Sequence, residues 1–265
     1  MGHPALANDR TLIQIRERSF LDLLDLALVV TRSRPRVVIL AGLAGVLPFV
    51  LLNNALVYAY DVSLPYYFLL LVMETPWATA PLTVVLGGLM FGERPTARKV
   101  AVTLFRAFPA LLAYQGLLRC LLLGTVVLSP VLPARLGFMN EVVLLEHGKF
   151  WGVVKRSSVL CGLRGADLFG QWVAQLIFGG LFVVCFWFGT GAMFRSLTTS
   201  ELTWDEFDDA MLLDVRFQAA FWVTVVFFGV ARFLTYIDQR IRLEGWELKL
   251  RLQAVGRSIE ESGRW

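Results

Sequence analysis

Five long apolar runs, separated by short polar segments, dominate the pattern of this 265-residue chain. A transmembrane helix needs about 20 consecutive apolar residues, so each run is long enough to cross a bilayer. The pattern therefore predicts an all-α polytopic membrane protein. The predicted spans cover residues 37–60, 66–91, 107–130, 166–194 and 217–237.

Composition supports the same class of protein. Hydrophobic residues make up 57% of the chain and charged residues 17%, whereas soluble domains average about 45–50% and about 25%. Spans and short connections use nearly all of these residues and leave no room among them for a soluble catalytic domain. The net charge of +4 reflects basic residues beside span ends, which predicts anionic lipid headgroups as partners and no nucleic acid.

The segment before the first span has polar residues at helical spacing and an apolar opposite face. Ser19 with Asp22 predicts a capping box that starts a helix, and Pro35 predicts the bend into the first span. Such a helix either lies in the membrane interface or packs against the protein's own cytoplasmic side. The predicted domains are a cytoplasmic arm, a transmembrane domain and a cytoplasmic C-terminal helix, over residues 1–36, 37–237 and 238–265.

Residues 135–146 form a short, mostly apolar stretch that decides on which side of the membrane the rest of the chain lies. If this stretch crosses, the arm, the basic helix over 149–164 and the C-terminal tail all lie in the cytoplasm, as the positive-inside rule favours. We therefore predict about six crossings, with both termini cytoplasmic. Because the stretch is only about half the length of a full span, the fourth crossing must be a short or broken helix shielded by its neighbours.

The ionisable residues Glu74, Arg119 and Glu141 lie at membrane depth, where charges are costly and are usually paired or functional. Glu74 and Arg119 lie at similar depths on adjacent antiparallel spans, which predicts a buried ion pair with Glu141 as the competing partner. Pro76 lacks a backbone donor and should free a carbonyl close to Glu74. Three alternatives remain open: a pair that sets helix register, a polar cavity for a lipid headgroup or a solute, and side chains that only reach toward water.

Two motifs carry a family resemblance: NEVVLLEHGKFWGVVKRSSVL over residues 140–160, and ARFLTYIDQRIRLEGWELKLRL over residues 231–252. Together they resemble the membrane domain attached to some bacterial glycerophosphoryl diester phosphodiesterases, and related stand-alone multi-pass proteins of unknown function. The resemblance implies a six-helix membrane domain with cytoplasmic ends. It does not carry hydrolysis over, because the catalytic barrel of those enzymes is absent. The matching positions are Glu146, Arg156, Ser157, Asp238, Arg240, Glu244 and Gly245, whereas Glu247 stands where an aspartate is more usual.

Both motifs suit a polar cluster on the cytoplasmic side of the bundle, which we call the cytoplasmic collar. In this collar, Arg156 and Ser157 are expected to cap the tail helix or to meet its acids Asp238 and Glu244. Such contacts are either architectural or form a headgroup or partner site. The predicted collar residues are Glu146, Lys155, Arg156, Ser157, Asp238, Arg240 and Glu244.

These patterns predict a non-catalytic integral protein of a bacterial inner membrane. It would bind lipid headgroups or organise a membrane protein complex, with another membrane protein or a second copy of the chain as partner. A transporter or channel component with a polar site near Glu74, Arg119 and Glu141 is the alternative. We expect no enzyme, because HExxH, GxSxG and acidic metal clusters are missing. We also expect no metal or other cofactor, since the three cysteines are far apart and fit reduced thiols.

Overall fold

All regular structure is helical in the part of the chain that the computed structural model describes, which confirms the all-α prediction. The described residues are 19–60, 64–90, 92, 95–125, 130–146, 150–162, 164–199 and 214–244. The helices in chain order are α1 (Phe20–Ser33), α2 (Pro35–Tyr60), α3 (Leu64–Met90), α4 (Ala97–Leu111), the π-helix π1 (Leu112–Leu118), α5 (Arg119–Gly124), α6 (Val131–Arg135), α7 (Met139–Glu141), the π-helix π2 (Val142–Glu146), α8 (Phe150–Gly162), α9 (Gly165–Thr199) and α10 (Val215–Glu244).

Five helical stretches are long and apolar enough to cross a membrane, as predicted for a multi-pass membrane protein. They are Pro35–Tyr60, Pro65–Met90, Ala97–Gly124, Gly165–Thr198 and Val215–Leu243.

The third and fifth of these stretches have bounds that differ from the prediction. The third begins at Ala97 rather than at residue 107, because the Thr96 hydroxyl caps it by accepting a hydrogen bond from the Lys99 N–H at 3.3 Å. The fifth continues without a break past residue 237 to Glu244. The start of the predicted C-terminal helix is therefore continuous with the last span in a single helix, α10. The rest of that predicted helix, residues 245–265, lies outside the described residues.

Helix α1 begins with the predicted capping box. The Ser19 N–H donates to Asp22 Oδ2 at 2.9 Å, and the Asp22 N–H donates to the Ser19 hydroxyl at 3.2 Å. Helix α2 begins at Pro35, where the prediction put the bend into the first span. Both signals are local in sequence, which is why they could be recognised without the fold.

The two faces of α1 have different environments. Leu23 and Ala27 are buried where α1 packs against α10, so packing against the protein's own helices, one of the two alternatives, is present. The opposite face carries exposed apolar side chains, as a helix in contact with lipid does. These exposed side chains are Leu21, Leu28 and Val29.

Helices α3 and α10 form the centre of the bundle. Of their apolar stretches, 56% and 50% are buried, against 22–28% for the other three membrane-length stretches. Glycines allow this close packing. A Cβ at Gly45 of α2 would lie 1.9 Å from the carbonyl oxygen of Ala78, and a Cβ at Gly229 would lie 2.9 Å from Cγ2 of Thr79. Neither position has room for a side chain unless the helices separate.

Contacts along α3 and α10 show that these two helices run parallel. Gln218 reaches Tyr67 close to the first residues of both helices. Further along, Gly229 packs against Thr79. We call the side of the bundle where α3 and α10 begin the start face, and the side where they end the end face. Helix α2 packs antiparallel to α3 and therefore begins at the end face.

Helix α9 runs antiparallel to α10 and therefore also begins at the end face. Gly179 packs against Phe228, and Trp187 reaches back to Asp214, the residue before α10. Helix α4 begins at the end face as well, because it follows directly after α3. If the stretch Ala97–Gly124 crosses the membrane, the chain must return to the end face before α9 begins.

The returning segment contains only short helices. Helices α6, α7 and π2 have 5, 3 and 5 residues, so none of them spans a bilayer by itself. Helix α8 packs beside α6, where the Ser157 hydroxyl donates to the Arg135 carbonyl at 3.4 Å. The predicted short and broken fourth segment is confirmed, while a count of six crossings stays a prediction.

Candidate functional site

Polar side chains run through the interior of the bundle from the start face to the end face. In a membrane-spanning bundle such groups are costly, so the partner of each one decides what it is able to do. We call this series the polar ladder. Its members, taken from the start face, are Gln218, Tyr67, Asn53, Glu74, Arg119, Asn140, Glu141, Arg232, Glu146, Tyr236 and Arg240.

The ladder begins with a hydrogen-bonded group near the start face. Gln218 Nε2 donates to the Tyr67 hydroxyl at 3.2 Å and to Asn54 Oδ1 at 3.0 Å. Gln218 and Tyr67 are both buried. These neutral bonds connect α2, α3 and α10 at one depth.

Glu74 bonds to Asn53 and not to Arg119. Asn53 Nδ2 donates to Glu74 Oε2 at 2.7 Å, and the two residues are 1% and 5% exposed. Glu74 Oε1 and Asn53 Oδ1 have no hydrogen-bond partner in the described part of the chain. The predicted Glu74–Arg119 ion pair is therefore wrong. The Glu74 carboxylate lies in the interior, and the Asn53 amide is its only hydrogen-bond partner among the described residues.

Arg119 instead donates to a carbonyl that a proline leaves free. Because Pro76 has no N–H, the Val72 carbonyl lacks the donor it would have in a regular helix. Arg119 Nη2 donates to this oxygen at 3.1 Å, and Nη1 donates to Gln115 Oε1 at 3.5 Å. Nearby, Asn140 Nδ2 donates to the Pro76 carbonyl at 2.9 Å. The Val72 carbonyl thus lacks its helical donor, as predicted, and accepts instead from the Thr75 hydroxyl at 2.9 Å and from the arginine that the prediction assigned to the carboxylate.

Glu141 pairs with Arg232, so its predicted role as the competing partner of Arg119 is also wrong. Arg232 Nη2 donates to Glu141 Oε2 at 3.0 Å, and Arg232 Nε lies 2.9 Å from Oε1. The Glu141 side chain is only 2% exposed, whereas that of Arg232 is 29% exposed. Arg232 was not among the predicted site residues, although its place inside the last apolar run was a signal that could have revealed it.

Part of the predicted cytoplasmic collar assembles around Glu146 at the end face. Tyr236 donates its hydroxyl to Glu146 Oε1 at 2.7 Å, and Arg156 Nε donates to Oε2 at 2.9 Å. Arg240 Nη1 lies 4.0 Å from the same carboxylate and donates to the Tyr236 hydroxyl at 3.4 Å. The structure therefore brings Glu146, Arg156 and Arg240 together and adds Tyr236, which the prediction did not include.

Three collar residues whose side chains the structure describes, Lys155, Ser157 and Asp238, do not join this cluster. Ser157 is buried and donates to a carbonyl of α6, while Asp238 accepts from Arg242 Nε at 2.8 Å within its own helix. The predicted meeting of Arg156 or Ser157 with Asp238 is therefore wrong. Lys155 is exposed, and the side chain of Glu244 lies outside the described residues.

A second charged cluster lies at the start face, just before α10. Asp214 accepts hydrogen bonds from Trp187 Nε1 at 3.0 Å and from the backbone and side chain of Arg216 at 2.8–3.1 Å. Burial alone would raise the pKa of Asp214. The hydrogen bonds from Arg216 and Trp187, together with the positive charge of Arg216, outweigh burial and hold its pKa below the ordinary value of 3.8.

An open groove of about 530 Å³ lies at the end face, between the joint of α1 with α2 and the end of α3. Arg34 and Arg36 lie on it, and both are exposed. Neither guanidinium has a hydrogen bond or an ion pair with any described residue. The other lining residues are Ser33 and the mostly apolar set Pro35, Val37, Val85, Leu89 and Pro95.

Among the described residues, no group of three or more His, Cys, Asp or Glu side chains could hold a metal ion. Comparison of the chain with protein-family models, with curated proteins and with solved structures found no match. The family resemblance of the two motifs therefore stays a prediction. The features that remain for a functional inference are the groove and the polar ladder.

Proposed function

We propose that this protein is a non-catalytic integral membrane protein that binds the headgroup of an anionic phospholipid in the groove beside Arg34 and Arg36. The observation that carries this proposal is one groove with apolar walls and two guanidinium groups that have no hydrogen bond or ion pair with any described residue. A guanidinium binds a phosphate through two parallel hydrogen bonds. The apolar walls offer a surface for the glycerol and the upper part of an acyl chain.

The surroundings of the groove support a lipid ligand. Helix α1 leads into it and exposes Leu28 and Val29 on its outer side, as expected for a helix that touches the membrane interface. Arg32 is exposed on the same helix and adds positive charge. Each basic residue near an anionic membrane surface contributes about 1 kcal/mol of attraction.

We also propose that the end face is cytoplasmic and that the protein belongs to a bacterial inner membrane. Basic side chains are gathered at this face, including Arg34, Arg36, Lys155 and Arg240. Lysine and arginine favour the cytoplasmic ends of spans. Labelling of single cysteines at positions 34 and 155 from either side of intact cells tests the orientation. Labelling from outside would contradict it.

The lipid proposal is tested by native mass spectrometry of the protein extracted gently from its own membranes. The wild type is expected to retain a stoichiometric anionic phospholipid, and the Arg34→Gln/Arg36→Gln variant is expected to lose it. Lys155→Gln is the matched control, because it removes an exposed positive charge of α8 away from the groove. Equal lipid retention by all three proteins would refute the proposal. A stoichiometric protein partner without bound lipid would instead favour the organisation of a membrane complex.

A transporter or channel component is the second candidate function, and the polar ladder favours it. Buried ionisable residues such as Glu74 and Glu141 frequently mark ion or solute pathways. Reconstituted vesicles that pass a cation or small solute only when they contain the wild-type protein would support this function. Vesicles that stay tight to every solute tried, while lipid binding is present, would leave lipid binding as the function.

A further inference from the structure

Asn53 and Glu74 present two interior oxygens that no donor of the described residues reaches. Their single mutual bond uses Asn53 Nδ2 and Glu74 Oε2, which leaves Asn53 Oδ1 and Glu74 Oε1 without partners among the described residues. Both residues are more than nine-tenths buried. A buried acceptor without a donor costs about 1–3 kcal/mol, and an unpaired buried carboxylate costs more. The pair therefore lacks a positive charge.

The charged and titratable groups around this pair do not supply that charge. From α3, Tyr67 lies near enough to interact electrostatically with the Glu74 carboxylate, and its hydroxyl accepts a hydrogen bond from α10. From α5, Arg119 is bonded to a backbone carbonyl and an amide. From α10, Arg232 is paired with Glu141. No cationic side chain in the described ranges lies within 4.0 Å of the Glu74 carboxylate.

The chemistry of the donor set indicates which ligand fits. A carboxylate oxygen and an amide oxygen are hard ligands, which suit hard cations and not soft transition metals. A single carboxylate balances a single positive charge. Intramembrane carboxyl groups of this kind occur in proton relays and ion pathways. Asn140 Oδ1 is also buried without a hydrogen-bond partner among the described residues. Asn140 contacts α3 two residues beyond Glu74, through the Pro76 carbonyl.

We propose that Asn53 and Glu74 form a binding site for a small monovalent cation, H⁺ or Na⁺, within the bundle. Either ion places a positive charge on the Glu74 carboxyl group. Sodium would also use the free amide oxygen of Asn53, whereas a proton would convert Oε1 from an acceptor into a donor. The site is independent of the lipid groove, and its existence does not require lipid binding.

The sodium arm of the test is thermal unfolding of the full-length protein in detergent, in NaCl and in choline chloride at equal ionic strength. Equal ionic strength keeps charge screening constant, so a difference reports specific binding. If sodium is the ligand, the Tm of the wild type rises in NaCl, and Glu74→Gln and Asn53→Ala lose the rise. Thr83→Val, which removes a buried hydroxyl elsewhere on α3, keeps it.

The proton arm is infrared spectroscopy of the same proteins at neutral pH. If a proton is the ligand, the wild type shows a protonated carboxyl band that Glu74→Gln lacks, and no sodium-specific change in Tm. Asn53→Ala retains the carboxyl group and shifts this band, which keeps the test valid if Glu74→Gln does not fold. A wild type with neither a sodium-dependent Tm nor a carboxyl band that responds to these substitutions would overturn the proposal.

Discussion

Arg232→Gln is expected to destabilise the protein more than Glu141→Gln, although both substitutions remove the same ion pair. The reason is the difference in exposure of the partner that stays behind. Arg232→Gln leaves the Glu141 carboxylate in a site that is 2% exposed, whereas Glu141→Gln leaves a guanidinium that is 29% exposed. Water can hydrate the second group in part, but not the first.

The magnitudes follow from this asymmetry. Removing one partner of a buried pair costs about 3–5 kcal/mol because the other charge stays buried and unpaired, and this range applies to Arg232→Gln. Losing a hydrogen bond to a charged group that stays partly hydrated costs about 1.5–3 kcal/mol, the range expected for Glu141→Gln. The double variant leaves no uncompensated charge. It should therefore lose less stability than the sum of the two single variants, by about 1–3 kcal/mol.

The assay is a double-mutant cycle on the free energy of unfolding, measured by denaturant titration in detergent micelles. The control cycle uses Arg164 and Asp167, an ion pair whose side chains are 37% and 55% exposed. Pairs with this exposure contribute about 0.2–1 kcal/mol. Equal losses from the two single variants, or a coupling no larger than that of the control, would refute this account of Glu141 and Arg232.

Three further predictions test other contacts. Gly45→Ala should lower the Tm sharply, because the new Cβ would lie 1.9 Å from the Ala78 carbonyl oxygen. Gly124→Ala is the control and should leave the Tm unchanged, because a Cβ there meets nothing within 4 Å. Similar Tm values for the two variants would contradict the packing of α2 on α3. Because the pKa of Asp214 is lowered in the folded protein, its carboxylate contributes its full stabilisation at pH values above 3.8. The difference in free energy of unfolding between the wild type and Asp214→Asn should therefore shrink as the pH falls below 3.8. A pH-independent difference in denaturant titrations would rule this out. Tyr236→Phe removes the 2.7 Å hydrogen bond to the Glu146 carboxylate and should lower the free energy of unfolding by about 1.5–3 kcal/mol, the range for a hydrogen bond to a charged group. An unchanged free energy of unfolding would show that the bond contributes nothing.

Local features of the chain were predictable because their physical causes are local. The capping box of Ser19 and Asp22 depends on residues three positions apart, and both of its hydrogen bonds are present. The carbonyl freed by Pro76 depends only on the missing N–H of proline. The partner of that carbonyl was not predictable. Arg119 follows the π-helix π1, and a π-helix turns by a different angle per residue than an α-helix. The direction of the Arg119 side chain around the helix axis therefore differs from that in a regular α-helix, and a similar depth in the membrane was not enough to pair it with Glu74.

The sequence by itself determined that this is an all-α membrane protein with long apolar helices and a short, broken segment after the third. The physical reason is that a bilayer requires about 20 apolar residues per span and satisfies backbone polar groups only within helices. Tertiary structure alone decided the pairings of Glu74 with Asn53 and of Glu141 with Arg232. These pairings depend on helix rotation and on the small-residue contacts that position α2 and α10 against α3, and neither is encoded in the spacing of residues along a single helix.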